Sequence, residues 1–359
     1  MRLLERAERR TGRRGRRGEP NGPLQLTSPP PGVGAPGTRR SYALGVLPLV
    51  IAHRGASAAF PEHTRAAMLH ALAVGADGLE CDVQLTKDRE VVCWHDPTVD
   101  RTSNGSGALA DHTLERLRGL DVTSWHATRG PRAGDGARPG AQAGQIPPVY
   151  GAPEDQVLTL RELFEIATAA DRPLRLAVEL KHPSPYGHEL EERVLRELLT
   201  SGWDPETGLL GQVSVSLMSF HPGALQYVAP LTGPDALCPL VDVMPAEIPS
   251  RIARGPLSRA AVRATVRQTL ADSEAMVWRG RASLAGPSVE YVRTHLADVK
   301  AWLAAGRRLR VWTVDARADV EFLLAQGVQE LTTNRPEDVL RWAADAVAER
   351  RSRRDRAGV

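Results

Sequence analysis

Between residues 53 and 96 three short apolar runs end in groups that could do chemistry: His53-Arg54-Gly55, Glu80-Cys81-Asp82 and His95-Asp96. One histidine can take a proton while the other gives one, and the carboxylates can hold a hard cation. These residue types point to metal-assisted hydrolysis. Glu80 and Asp82 are two apart on a strand-like segment, so they face the same way. Two like charges on one buried face repel each other and are hard to desolvate unless a cation joins them, and oxygen-only ligands favour Mg²⁺ or Ca²⁺. Leu79, Val83 and Leu85 face the other way, as the outer face of a buried strand would.

Arg54 suits a phosphate because its planar fork donates bidentately, and Gly55 lets the backbone approach a ligand closely. Taken alone, the His-Arg-Gly triplet also fits a surface turn. A hairpin between Asp82 and His95 would bring the second histidine back beside the carboxylates. Glu179 and Lys181 repeat the two-residue spacing at the end of another apolar run. Glu179 can complete a three-carboxylate cation site and Lys181 can bind an anionic substrate; an ordinary salt bridge is the alternative. Trp312, in Val311-Trp312-Thr313-Val314, lines a cleft or fills a core.

These residues need elements to position them. From Leu47 onward short apolar runs alternate with helix-like segments. Strands are predicted at Leu49–Ala52, Gly78–Leu85, Val91–Trp94, Leu174–Leu180, Val213–Ser219, Ala236–Val241, within Ala275–Leu284, at Leu309–Val314 and at Gln329–Thr333. Helices are predicted at Glu62–Val74 (with Ala66, Leu69 and Ala73 on one face), Leu160–Ala170, Gly187–Leu199, Gly223–Tyr227, Leu257–Leu270, Val289–Ala305, Asp319–Gln326 and Pro336–Arg350. Setting aside the Val91 segment as a hairpin arm, eight strand–helix units remain. They predict an α/β fold: a (β/α)8 TIM barrel, with a small hairpin/loop insertion after the second strand. Reactive side chains then collect at the C-terminal ends of the strands, where the candidate residues lie. An open doubly wound sheet is the alternative. No strand leads into the Gly-x-Gly-x-x-Ala of Gly105–Ala110, and no Walker-type loop occurs, so the common nucleotide-binding motifs are missing.

Composition agrees. The chain has 359 residues, 42% hydrophobic and 25% charged, and a net charge of +3. That suits a soluble protein with a sizeable core. The positive excess is terminal, with Arg2, Arg6, Arg9, Arg10, Arg13, Arg14, Arg16 and Arg17 at one end and Arg350, Arg351, Arg353, Arg354 and Arg356 at the other. Nucleic acid is therefore not the expected partner of the fold. Cys81, Cys93 and Cys238 are odd in number and lack metal spacing, which predicts buried reduced thiols and a cytoplasmic location. No stretch is long enough to span a membrane, and no export signal is read. The domain organisation expected is an Arg/Pro/Gly-rich disordered extension over 1–44, a barrel over 45–345 with a flexible insertion at about 126–156, and a basic tail over 346–359. The insertion is expected to shape substrate access. Nothing in the sequence sets an oligomeric state.

From about Leu49 to Leu340 the chain resembles the glycerophosphodiester phosphodiesterases. The resemblance is carried by Ala52-His53-Arg54-Gly55-Ala56, Pro61-Glu62-His63-Thr64, Gly75–Val83, Thr86-Lys87-Asp88, His95-Asp96, Arg101-Thr102, Glu179-Leu180-Lys181, Ser219-Phe220 and Val311–Val314. It implies a (β/α)8 barrel that hydrolyses glycerophosphodiesters, as small-molecule substrates, to sn-glycerol 3-phosphate and an alcohol. It further implies His53 and His95 as the acid/base pair, and Glu80, Asp82 and Glu179 as ligands of a divalent cation. Arg54 and Lys181 would hold the phosphate, Glu62 would lie near the metal and glycerol, and Trp312 would line the pocket. A phosphodiesterase acting on lysophospholipids and a non-catalytic ligand-binding barrel are the alternatives.

Departures from the family pattern are also expected to matter locally. His63 stands where the family usually has Asn, which can alter hydrogen bonding near the site while keeping a donor. Asp88-Arg89 replaces an Asp-Gly turn. Gly327-Val328-Gln329-Glu330 and Thr333-Asn334-Arg335-Pro336 lack the usual Asp-Gly and Asp-x-Pro, positions expected to support the last strand more than the chemistry.

Overall fold

The computed structural model describes residues 47–128, 146–244 and 256–357. Eight parallel strands close on themselves: β1 (Leu49–Ala52), β2 (Gly78–Leu85), β4 (Leu174–Leu180), β6 (Val213–Ser219), β7 (Leu237–Val241), β8 (Leu284–Pro287), β9 (Arg308–Val311) and β10 (Glu330–Thr333). Their order around the ring is β1-β10-β9-β8-β7-β6-β4-β2, and β1 pairs with β2 through Ile51↔Gly78 and Ala52↔Leu79. Gly78 is required at that seam, because a Cβ there would lie 2.7 Å from the Arg175 backbone carbonyl oxygen as well as 2.6 Å from the Ile51 side chain. Two short strands stand outside the ring: β3 (Val91–Cys93) runs antiparallel to β2 and β5 (Leu209–Leu210) antiparallel to β6.

Strand alternation divides the core into two layers. Ile51, Ala177, Met218, Cys238, Leu240 and Leu284 pack together inside the barrel, and Leu49 and Trp312 pack against them. Leu79, Cys81, Val83, Leu176, Val178, Leu180, Val215 and Leu217 point outward into one layer beneath the helices. Val50, Val241, Ala285, Leu309, Val311 and Leu331 do the same in another. Inside the barrel Arg310 and Glu330, both about fully buried, pair at 2.7 Å, and Arg310 also donates to Ser216 Oγ at 2.8 Å.

The helices start and stop for local reasons. Thr159 caps the helix Leu160–Thr168 while Glu162 reaches back to the Thr159 N–H at 2.8 Å, a reciprocal capping box. Gly327, at φ 79°, ends the helix Arg317–Gln326 in the left-handed conformation.

Several elements differ from the sequence expectation. The apolar run within Ala275–Leu284 is not a strand: the helix Pro256–Trp278 continues through it, burying Met276 and Val277, and the strand is Leu284–Pro287. A short apolar run reads the same in either state, and Gly286 and Pro287 argue against strand by propensity. The helix expected over Val289–Ala305 is two, Val289–Thr294 and Leu296–Ala304, broken at His295. On the helix Arg65–Ala73 the buried face is Ala66, Ala67, Met68 and Ala71, with Leu69 only partly covered.

Of the insertion expected at 126–156, residues 129–145 lie outside the described residues, as does the extension 1–44. The described flanks are ordered by packing. Residues Ser124–Thr128 form a helical turn, Tyr150 is buried with its hydroxyl 2.9 Å from His70 Nδ1, and the buried Gln156 amide accepts from the Ala66 N–H at 3.0 Å. The last helix, Pro336–Ala357, runs on through most of the basic C-terminal segment.

Candidate active site

The inward-facing positions at the C-terminal ends of β1, β2 and β4 bring most of the candidate residues together. Glu80 and Asp82 point from β2 into the barrel and are fully buried; Glu179, from the neighbouring β4, is nearly so. One ligand atom from each lies within 4.8 Å of the others. Lys181, two residues beyond Glu179, places Nζ 2.7 Å from Glu179 Oε1 and 2.9 Å from Asp82 Oδ1.

Arg54 turns at φ 59°, a left-handed conformation that costs a non-glycine residue about 1–3 kcal/mol. The turn aims its N–H at Glu80 Oε2, 2.8 Å away, while its guanidinium reaches Asp82 Oδ2 at 3.0 Å and Glu62 Oε1 at 2.9 Å. Gly55 follows at φ 77°, and a Cβ there would lie 2.5 Å from the Ala67 backbone.

Burial is the largest influence on all three acids. It pushes Glu80 well up, with Asp82's charge adding to it, and pushes Glu179 up to about 8. For Asp82 burial opposes ionisation too, but Lys181 and Arg54 outweigh it and hold that carboxyl well below the usual range. Glu80 Oε1 is buried without a hydrogen-bond donor among the described residues. Three converging carboxylates, one with an unsatisfied buried oxygen, are the donor set of a hard divalent cation, so the residues fit such a group.

His53 and His95 stand on different elements and have different partners. His53 Nδ1 lies 2.8 Å from Asn334 Oδ1, and Asn334 Nδ2 donates to Asp315 Oδ2. Asp315 Oδ1 also accepts from the Asn334 N–H at 2.9 Å. The Asn334 oxygen can only accept, so the His53 proton sits on Nδ1 and Nε2 keeps its lone pair. Burial, then the Arg54 charge, lowers His53 to about 3, so the ring is neutral.

His95 is brought back by β3. Its Nδ1 lies 2.6 Å from Asp96 Oδ1, and Arg101 bridges Asp96 to Glu62 with contacts of 2.6 and 2.7 Å. Gln84 fixes the loop by donating to the carbonyls of Trp94, His95 and Asp96 at 2.9, 3.1 and 2.8 Å. Burial opposes ionisation of Glu62, but Arg101 and Arg54 overcome it and hold the carboxyl at about 2. A chain of polar contacts thus runs His95–Asp96–Arg101–Glu62–Arg54–Asp82–Lys181–Glu179.

Trp312 stands apart from this network, on β9's side of the mouth. Its Nε1 donates to the Gly286 carbonyl at 2.7 Å, and its ring meets Phe220 edge-on with centroids 5.3 Å apart.

Three features were not legible. Asn334, expected to matter to the last strand rather than the chemistry, is the direct partner of His53, because it sits two residues past Thr332 on the inward face of β10. Asp315 orients it from another loop, and no spacing in the sequence links the two. Arg101 was visible only as part of the Arg101-Thr102 match. At His63 the buried ring, also left-handed at φ 61°, places Nε2 3.0 Å from the Asp82 backbone nitrogen and 3.2 Å from Asp82 Oδ2, so the residue in the Asn position lies directly against Asp82. Arg89, at φ 68°, carries the strain expected of a residue in a glycine's place.

Comparison with known proteins agrees with this geometry. The model of the glycerophosphoryl diester phosphodiesterase family matches residues 53–338. A probable glycerophosphodiester phosphodiesterase 1 of Mycobacterium tuberculosis is 33% identical over 304 residues, covering 84% of this chain and 94% of the relative. A putative glycerophosphodiester phosphodiesterase of Bacillus subtilis is 30% identical over 297 residues, covering 81% and 96%. Among solved structures, an Oleispira antarctica phosphodiesterase in complex with the product sn-glycerol-3-phosphate superposes with a TM-score of 0.60 at 22% identity, covering 83% of this chain and 97% of that one.

Proposed function

The chain belongs to the glycerophosphoryl diester phosphodiesterase family, and from that premise we propose how its residues divide the work. The protein is a phosphodiesterase that hydrolyses glycerophosphodiesters, small-molecule substrates, to sn-glycerol 3-phosphate and an alcohol, and it depends on a divalent cation. Glu80, Asp82 and Glu179 are the ligands we assign to that cation; when bound it supplies positive charge to the phosphoryl oxygens. Mg²⁺ and Ca²⁺ are the ions that match an all-carboxylate set.

The observation that carries the division of labour is the contrast between the two histidines. His53 is neutral, with its lone pair fixed at Nε2 by Asn334, so it accepts the proton of the attacking oxygen, which is water itself or the glycerol 2-hydroxyl with water then opening the cyclic phosphate. His95 has a carboxylate, Asp96, at Nδ1. That partner holds Nδ1 and orients the ring, so His95 in its doubly protonated form gives its Nε2 proton to the alkoxide as the P–O bond to the alcohol breaks. Arg54 and Lys181 orient the phosphate, Glu62 holds Arg54 and Arg101 in place, and Trp312 lines the opposite wall.

We assign residues 45–345 to this catalytic barrel. All three cysteines are free and buried, which supports a reducing, cytoplasmic setting. No helix among the described residues is long and apolar enough to cross a membrane.

The test is release of sn-glycerol 3-phosphate from purified protein, with and without chelator. Chelation abolishes release, and Mg²⁺ or Ca²⁺ restores it, the better ion identifying the preference. Glu80→Gln and Asp82→Asn each weaken cation binding measured by calorimetry. Full activity in excess chelator would overturn the metal assignment.

A further inference from the structure

Outside the catalytic network, three histidines gather around one buried glutamate. His182 follows Lys181 on the loop after β4. His188 stands at the N-terminus of the helix Glu189–Thr200, and Glu191 lies in that helix's first turn. His221 precedes the helix Pro222–Val228, just past the end of β6. β4 and β6 are neighbours in the ring, so the two loops leave it side by side.

Two of the rings address one oxygen. His182 Nε2 lies 2.8 Å from Glu191 Oε1, and His188 Nδ1 lies 3.4 Å from the same atom. Glu191 is fully buried, and its other oxygen, Oε2, is buried without a hydrogen-bond partner among the described residues. Burial opposes ionisation of Glu191, but its hydrogen bonds, that with His182 first, hold the carboxyl below its ordinary range. Each ring is backed by another. His221 stacks on His182 with centroids 4.9 Å apart, and Tyr227 stacks on His188 at 4.2 Å. Tyr227 is itself held by the bond from its hydroxyl to Glu192 Oε1 at 2.9 Å.

A simple ion pair needs one imidazole and leaves no buried carboxylate oxygen unsatisfied. Two imidazole nitrogens on one ionised carboxylate are a ligand set. With bonds of about 2.0–2.1 Å to zinc, neighbouring ligand atoms of a tetrahedron stand about 3.3 Å apart. The two nitrogen–oxygen distances, 2.8 and 3.4 Å, bracket that spacing.

We propose that His182, His188 and Glu191 bind a zinc-type divalent cation, with solvent completing a tetrahedral site. Imidazole suits Zn²⁺ and its transition-metal neighbours, whereas the all-oxygen triad of the active site suits Mg²⁺ or Ca²⁺, so the two sites take different ions. Among the described residues only that triad has three ligand atoms within 4.8 Å of one another. At the second site the nitrogens therefore close onto the ion, and the His188 side chain, 48% exposed, has room to turn inward. The ion ties the loop carrying Lys181 to the helix Glu189–Thr200. The inference goes beyond the phosphodiesterase reading and does not depend on it.

The test titrates Zn²⁺ calorimetrically into the full-length protein held in saturating Mg²⁺, which occupies the carboxylate triad. About one equivalent per chain should bind. His188→Ala and Glu191→Gln should each weaken Zn²⁺ binding by at least about tenfold, the lower range even for losing a partner of a ligand. Glu80→Gln should leave it unchanged. Co²⁺ in place of Zn²⁺ should give the intense visible absorption of tetrahedral coordination in the wild type, a reading that needs no variant to fold. Absence of Zn²⁺ binding in saturating Mg²⁺ overturns the site. So does binding that Glu80→Gln removes and His188→Ala spares, or an octahedral Co²⁺ spectrum.

Discussion

The two histidines differ in what stands behind them, and that difference is open to measurement. His53→Ala and His95→Ala should each lower kcat by at least about 10²-fold, the lower range for a positioned acid or base, with circular dichroism unchanged. Near-normal turnover in either would remove that residue from proton transfer. The pH dependence follows from the partner of His53. Burial and then the Arg54 charge outweigh the hydrogen bond to the neutral Asn334 amide and hold the ring at about 3, so it remains a free base throughout the neutral range. The exchange Asn334→Asp with Asp315→Asn swaps carboxylate and amide while keeping the pattern of hydrogen bonds. A carboxylate at Nδ1 raises the His53 pKa, so the base is lost at higher pH. The acid limb of the kcat/KM profile should therefore move upward by about 1–3 units. An unmoved limb would show that His53 does not set it.

Elements place these groups by close approach as much as by hydrogen bonding. The loop after β1 can bend back on the helix Arg65–Ala73 only because Gly55 has no Cβ, and the Ala56 N–H donates to the Ala67 carbonyl at 2.9 Å. Gly55→Ala should cost about 2–4 kcal/mol, combining left-handed strain with overpacking, as read from the urea midpoint. A loss under 1 kcal/mol, within the range of tolerated swaps, would mean that the loop relaxes. Gln84 is the corresponding device on the His95 side, holding three successive carbonyls. Gln84→Leu should lower kcat while leaving cation affinity at Glu80 and Asp82 close to that of the wild type, because its carbonyl partners lie on the far side of the hairpin. Equal loss of both would show that β2 itself had shifted.

At the scale of the molecule, the barrel is tied through its interior by Arg310 and Glu330. Both are buried, so removing one partner strands a charge in a low-dielectric core. Glu330→Leu should destabilise the protein by about 3–5 kcal/mol, whereas replacing both with apolar residues of similar volume should recover most of that loss. Equal stability of the single and double variants, measured by thermal unfolding, would show that the pair is solvated. The ring also explains why activity and fold separate. The closing seam uses Gly78, Ile51 and the apolar outward layers, none of which touches the chemistry, while the reactive residues ride on the open ends of the same strands.

Local pattern was enough for most of this architecture. Two-residue alternation on β2 and β4 already faced Glu80, Asp82, Glu179 and Lys181 the same way, and alternating strands and helices already implied a closed parallel ring. The placement of the sixth barrel strand, β8 at Leu284–Pro287, was not legible, because Ala275–Trp278 is equally apolar as a buried helix end and as a strand. The partners of His53 were not legible either. Asn334 lies 281 residues from His53, and Asp315 reaches it from a separate loop. The carboxylate behind His95 is its sequence neighbour Asp96, but the amide behind His53 depends on contact between the first and last strands. Only closure of the barrel makes those strands neighbours, so only the tertiary structure could decide it.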